Sequence, residues 1–484
     1  FKSNPDLILA GEFEMNRKNA VIAVGVAVVL VASVGLVVLQ ATTGTTGMKY
    51  ASCSELNTDY DAGIAFSAAA ASQDDEILEP VIDPVTYEAN KQLDEDSDQV
   101  VCERPFVQEN PDNWESLAQP LETCKLQETK NFFGGGPKGF PAKRWNSALG
   151  TVKIAVIPVD FENAPGEGSP EDLYRDDIQK MIEWAEYFSR GKMNYEIEFN
   201  APEWIRAPRG AEWYTCTNCQ KGSIKDLQSP AQGAQEMISA ADKTYDFEGV
   251  EIVYFVFPYE AERDFGTSTY GFNERFTTDE GKIEASIYGE MGGGVGAVSD
   301  RSVIWDHAVH EMLHFQGFVG HGPSNWTGHY ITVDQWGPSK AVTSWEAFIN
   351  EWFDEQEILC LDGAALNEEV FVTLDAITNF GPKHESVMIR INDEEIIVVE
   401  RHEEGQFTTL CSDCNSPVSE GFVAYRVNVN GAHYRNDGDT NSDVKNFWSF
   451  LGSTTAPTIK EPVEFKGVQI SLAGKNQVKI SVTE

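Results

Sequence analysis

Basic side chains are scarce in this chain: 36 Lys and Arg stand against 77 Asp and Glu, a formal net charge of −41 over 484 residues. A surface of that sign repels nucleic-acid phosphates and anionic membranes, which excludes both as partners of the folded regions. It also favours solubility in high salt, where self-repulsion is screened, and so suggests a saline extracellular setting. A nucleotide-binding loop is absent as well. The glycines Gly292, Gly293 and Gly294 are followed by no Gly-Lys-Ser/Thr. They read as a flexible turn, or as a backbone edge for an extended peptide. Histidine is rare, with 8 in the chain, so any clustering of it carries information.

One long apolar run, residues 20–39, follows Arg17 and Lys18 and is long enough to cross a bilayer. No A-x-A cleavage site or lipobox cysteine closes it, so residues 15–41 read as an N-terminal membrane anchor or a signal peptide. The positive-inside rule then places the remainder outside the cell or on its surface. Met15 is the expected start, which makes 1–14 a non-native or fragment prefix. Eight cysteines (Cys53, Cys102, Cys124, Cys216, Cys219, Cys360, Cys411 and Cys414) suit an exported, disulfide-bonded protein. The expected pairings are Cys102 with Cys124 and local bridges within Cys216/Cys219 and Cys411/Cys414. A structural zinc site of those last four cysteines is the alternative.

Five of the 8 histidines fall between His307 and His329. Two of them frame His310-Glu311-Met312-Leu313-His314, the H-E-x-x-H pattern of zinc hydrolases. Residues 304–315 read as one apolar helix, on which i and i+4 share a face. His310 and His314 can therefore present two imidazole nitrogens to one Zn²⁺, with the Glu311 carboxylate close enough to act as general base. Gly317 follows and can adopt the left-handed turn that reverses the chain. That reversal makes His321 the expected third ligand, with His329 and Asp334 as alternatives. Asp306 is a candidate acceptor for a histidine's second nitrogen, or simply favours the first helical turn. Tyr330 is a candidate oxyanion stabiliser, or a buried core tyrosine.

Around this motif the chain divides by texture. Residues 42–147 are acidic and rich in Ala and Ser in their first half, an expected linker, solvated stalk or pro-region. Within 148–361, strands are expected at 152–159, 195–199, 250–257 and 283–288, and helices at 169–187, 231–241 and 345–359. Residues 362–484 carry short alternating strands at 370–374, 387–391, 395–399, 421–427, 468–471 and 478–482, an expected β-sandwich. Inside it, Asp437, Asp439, Asn441 and Asp443 place oxygen ligands at alternate positions, a candidate Ca²⁺ loop. Ser442 and Trp448 stand where an EF-hand needs Gly and Glu.

Over roughly residues 148–484 the chain resembles the immune inhibitor A-type (thuringilysin-like) secreted metallopeptidases, in particular their actinobacterial branch. The likeness rests on residues 154–161 (IAVIPVDF), 188–192 (FSRGK), 310–317 (HEMLHFQG), 335–340 (QWGPSK) followed by Trp345, 399–401 (VER) and 421–427 (GFVAYRV). It implies an α/β metzincin-like zinc metallopeptidase domain followed by an all-β domain. It also implies zinc on His310 and His314, Glu311 as base, and protein or peptide substrates. The stretch from Tyr330 to Asp334 departs from relatives by having no methionine beneath the metal. The competing readings are a catalytically inactive, surface-anchored binding or scaffold protein that kept this fold, and a zinc hydrolase of a non-peptide amide.

Overall fold

The computed structural model of the chain describes residues 47–60, 62–71, 80–94, 97–103, 110–128, 139–142, 144–199, 202–214, 230–258, 261, 270–291, 304–318, 329–332, 337–411, 418–431, 448–451 and 459–483. The apolar run at 20–39, His321, Asp334, the 437–443 loop, Cys216, Cys219 and Cys414 lie outside these. Among the described residues no helix is long and apolar enough to cross a membrane.

Where a solvated stalk is expected, residues 47–103 contain regular structure. Helices α1 (Cys53–Asp59), α2 (Ala68–Ala71) and α3 (Pro84–Asn90) accompany strands β1 (Ile64–Ala65), β2 (Val81–Ile82) and β3 (Val100–Val101), in the order β2-β1-β3. Asp83 caps α3 by accepting from Val85 N and Thr86 N, with Pro84 at the first turn. The core is small, built on Tyr50, Leu56, Ile64, Tyr87 and Val101, and a Cys53–Cys102 disulfide ties it. So few apolar residues look like a linker in composition; the cross-link compensates for the small core. The expected Cys102–Cys124 pairing is thereby corrected. Cys124 instead joins Cys360, 236 residues away, because pairing follows spatial approach rather than sequence proximity.

A sheet of six strands follows. It contains β4 (Gly150–Asp160), β5 (Met193–Glu198), β6 (Ile205–Arg206), β7 (Ile252–Phe257), β8 (Tyr270–Thr278) and β9 (Gly281–Met291), in the order β5-β4-β7-β9-β8, with β6 against the end of β4. Strands β5, β4, β7 and β9 are mutually parallel and β8 is antiparallel to β9. Parallel strands covered on both faces need apolar side chains on both, which explains the unbroken run of β7, buried throughout. On one face, Ala155, Ile157, Val253 and Phe255 pack against α5 (Pro230–Ala241). On the other, Val152, Ile154, Val156, Ile252 and Tyr254 pack against α4 (Pro170–Phe188) and α6 (Trp305–Phe315). Just before the glycine run, Gly289 pairs with both β7 and β8, while Glu290 and Met291 pair with β7; Gly292, Gly293 and Gly294 lie outside the described residues.

The helix expected over 345–359 is shorter. Helix α7 (Ser344–Ile349) is capped by Thr343 and ends before Glu351, whose φ of 63° is left-handed. The chain then enters β10 (Ile358–Asp362). Because α7 is buried on every side, its apolar run has no period to mark where the helix stops. Strand β10 opens a five-stranded sheet with β12 (Ser386–Arg390), β13 (Glu395–His402), β14 (Gly421–Asn428) and β15 (Trp448–Phe450). A four-stranded sheet holds β11 (Val370–Thr373), β18 (Gln477–Val482), β17 (Val468–Leu472) and β16 (Val463–Phe465). The two sheets share one core through Val387, Ile389, Ile397 and Val399 on one side and Val370, Val372, Ile470 and Ile480 on the other. The opposite face of the five-stranded sheet, with Met388, Ile396, Val398, Val423 and Tyr425, joins the core of α4, α6 and α7. Strand β13 is consequently buried along its whole length.

Arg190 fastens the two parts. It stands in a left-handed turn after α4 (φ 57°), with its guanidinium 4.2 Å from the ring centres of both Phe353 and Phe380. It pairs with Glu357 at 2.8 Å and with the buried Glu385. A planar cation suits two aromatic faces and two carboxylates at once, which a lysine cannot do.

Candidate metal centre

Helix α6 forms where Ile304, Ala308, Val309, Met312 and Leu313 recur at helical spacing and are buried. Its N-cap residue, Ile304, offers no side-chain acceptor. Asp177 of α4 supplies one from 127 residues away: its Oδ1 accepts Ile304 N at 2.9 Å and Trp305 N at 3.0 Å. At the other end Gly317 takes φ 98° and Phe318 N donates to Leu313 O at 3.0 Å, a left-handed closure that reverses the chain. Trp145 N and Asn146 N both donate to Phe315 O, satisfying a terminal carbonyl.

This anchored helix sets the histidines. His310 is fully buried, and its Nδ1 lies 2.6 Å from Ile331 O. A carbonyl only accepts, so Nδ1 carries the proton and Nε2 keeps its lone pair. His314 Nε2 stands 3.2 Å from His310 Nε2. Two nitrogens bound at about 2.05 Å to a tetrahedral zinc are about 3.3 Å apart, so these residues fit that ion as a pair. Glu311 is partly exposed on the same stretch, and its Oε1 lies 3.1 Å from His307 Nε2. Burial pushes the Glu311 carboxyl upward, but the His307 hydrogen bond pulls it the other way and the group lies below its usual value. It is therefore ionised at neutral pH, as a general base must be.

Among the described residues no set of three or more His, Cys, Asp or Glu side chains converges on one point. His329 does not join His310 and His314 in such a set; its ring lies beside His402, 5.2 Å between centroids. His321 and Asp334, the other candidates for a third ligand, lie outside the described residues. For two residues that carried alternative readings, the structural one holds. Asp306 does not hold a metal-site histidine: its carboxylate accepts His307 N at 2.8 Å and Lys340 Nζ at 2.9 Å, which suits the first turn of a helix. Tyr330 is not placed to stabilise an oxyanion, because its hydroxyl is buried and donates to Glu400 Oε1 at 2.5 Å.

His307, Asp177 and the Ile331 carbonyl were missed in the sequence. The first carried a signal, since His307 and Glu311 are spaced i,i+4. The other two are brought in by tertiary contacts and carried none. No protein-family model matches the chain, and no curated protein matches it either.

Proposed function

We propose that the chain is an extracytoplasmic zinc-dependent endopeptidase with a metzincin-like catalytic domain. The observation that carries this reading is the 3.2 Å approach of two imidazole Nε2 atoms, one tautomer fixed by a carbonyl, with the Glu311 carboxylate on the same helix. His310 and His314 would hold the ion, with a third ligand from His321. Bound there, Zn²⁺ supplies Lewis-acid polarisation of a carbonyl and brings the pKa of water to about 7. Glu311 takes the proton of the attacking water on a carboxylate oxygen and delivers it to the leaving amine. His307 holds that carboxylate in place through its 3.1 Å contact. Strand β8 ends the described sheet next to β9, and an edge strand offers backbone groups that an extended peptide can pair with.

The test is zinc stoichiometry on the purified chain together with casein hydrolysis, with and without chelator. One zinc per chain and chelator-sensitive cleavage support the proposal. Folded protein that takes up neither zinc nor substrate moves the assignment to an inactive surface-anchored binding protein.

A further inference from the structure

Beneath the two histidines lies a buried polar cluster that the proposed proton transfers do not use. Glu400 of β13 is fully buried. Its Oε1 accepts the Tyr330 hydroxyl at 2.5 Å and lies 3.2 Å from His402 Nε2, while Oε2 accepts Ser344 N at 2.9 Å and the Tyr425 hydroxyl at 3.0 Å. Stability alone does not call for this arrangement, because well-packed apolar residues usually serve a core at least as well as a buried charge. What the cluster does is grip one turn. Tyr330 precedes Ile331, whose carbonyl takes His310 Nδ1 at 2.6 Å. On the far side, Thr332 Oγ1 donates to the buried Glu346 Oε2 at 3.0 Å, and Ile331 N donates to Ala341 O at 2.8 Å. The carbonyl that sets the His310 tautomer is thus held by a carboxylate on each flank.

We infer that Glu400, a residue of the C-terminal sheet, is a positioning residue for the metal centre, acting through the Tyr330 hydroxyl on the Ile331 carbonyl. The inference rests on the reading of His310 and His314 as ligands. Releasing Tyr330 frees one flank of the turn, the carbonyl loses its aim, and His310 can carry its proton on Nε2, where it cannot bind a metal. The all-β part is then a working component of the catalytic site.

Tyr330→Phe and Tyr425→Phe each remove one buried hydroxyl from the same carboxylate, but only Tyr330 adjoins the turn. The measurements, on the full chain, are the Co²⁺ dissociation constant, the visible Co²⁺ spectrum, and the histidine ¹⁵N shifts of the metal-free protein, with urea melts alongside. Expected are similar losses of folding stability in both variants. Co²⁺ binding should weaken about tenfold with an altered spectrum and a changed His310 tautomer in Tyr330→Phe alone, and stay within about twofold of wild type in Tyr425→Phe. Equal Co²⁺ binding in all three proteins, or equal weakening in both variants, overturns the inference while leaving the metal centre standing. Wild-type protein that binds no Co²⁺ or Zn²⁺ overturns both. Should Tyr330→Phe not fold, Glu400→Met, which removes both acceptor oxygens at similar volume, carries the same test, with the same tautomer change expected and an unchanged one refuting it.

Discussion

Asp177 caps helix α6 from another helix, and its removal can be costed from the structure. One carboxylate oxygen accepts both Ile304 N and Trp305 N, at 2.9 and 3.0 Å, in a buried setting. Asp177→Ala leaves two buried N–H groups unsatisfied, at about 1–3 kcal/mol each, so a loss of about 2–6 kcal/mol is expected. Asp177→Asn keeps an acceptor and carries no buried charge, so at neutral pH it should be far less costly than Asp177→Ala. The two variants also differ from wild type in pH dependence. Burial pushes the Asp177 carboxyl from 3.8 up to about 6, against the pull of the two N–H groups and Lys180. A folded-state pKa above the unfolded value means the folded state binds the extra proton between them. Wild-type stability should therefore fall as pH rises from about 4 to about 6, by about 3 kcal/mol in total. That component is absent in Asp177→Asn. Urea melts followed by far-UV circular dichroism at pH 4, 5, 6 and 7.5 would read both effects. Asp177→Ala within about 0.5 kcal/mol of wild type, or parallel pH curves for wild type and Asp177→Asn, would refute the argument.

Three further outcomes are expected. Glu311→Gln should lower peptide hydrolysis by about 10²–10⁴-fold while zinc stoichiometry is unchanged; full activity would remove Glu311 from the mechanism. Replacing Cys124 and Cys360 together by Ser should destabilise by about 5 kcal/mol on loop-closure grounds, given their separation of 236 residues, and the difference from wild type should vanish when both proteins are reduced. Arg190→Lys gives up the double aromatic stack and one of two carboxylate partners, so about 2–4 kcal/mol should be lost in thermal or urea melts; a neutral result would mean the clamp is ornamental to stability.

Local rules acting on nearby residues were legible in the chain. The i,i+4 spacing of His310 and His314, the turn at Gly317, the buried run of β7 and the alternation along β17 and β18 all follow from periods of 3.6 and 2. The limits of that reading are equally physical. Residues 47–103 looked like solvated linker because their composition is poor in apolar residues, and only the Cys53–Cys102 link and a tiny core reveal a folded unit. Helix α7 was drawn too long because a segment buried on all sides shows no amphipathic period. Strand β8 escaped notice because its sequence, YGFNERFTT, mixes polar and apolar residues and gains order from pairing with β9.

Sequence by itself determined the reaction class to be proposed, since two histidines one turn apart with a carboxylate between them are set by helix geometry alone. Tertiary structure decided what makes that trio usable: Asp177 capping the helix, Ile331 fixing one tautomer, His307 holding the base, and Glu400 bracing the turn from another sheet. Three of those four partners lie at sequence distances of 21, 70 and 127 residues from the groups they bond. A hydrogen bond requires atoms within about 3 Å, and over such separations along the chain only the packing of whole elements determines which atoms meet.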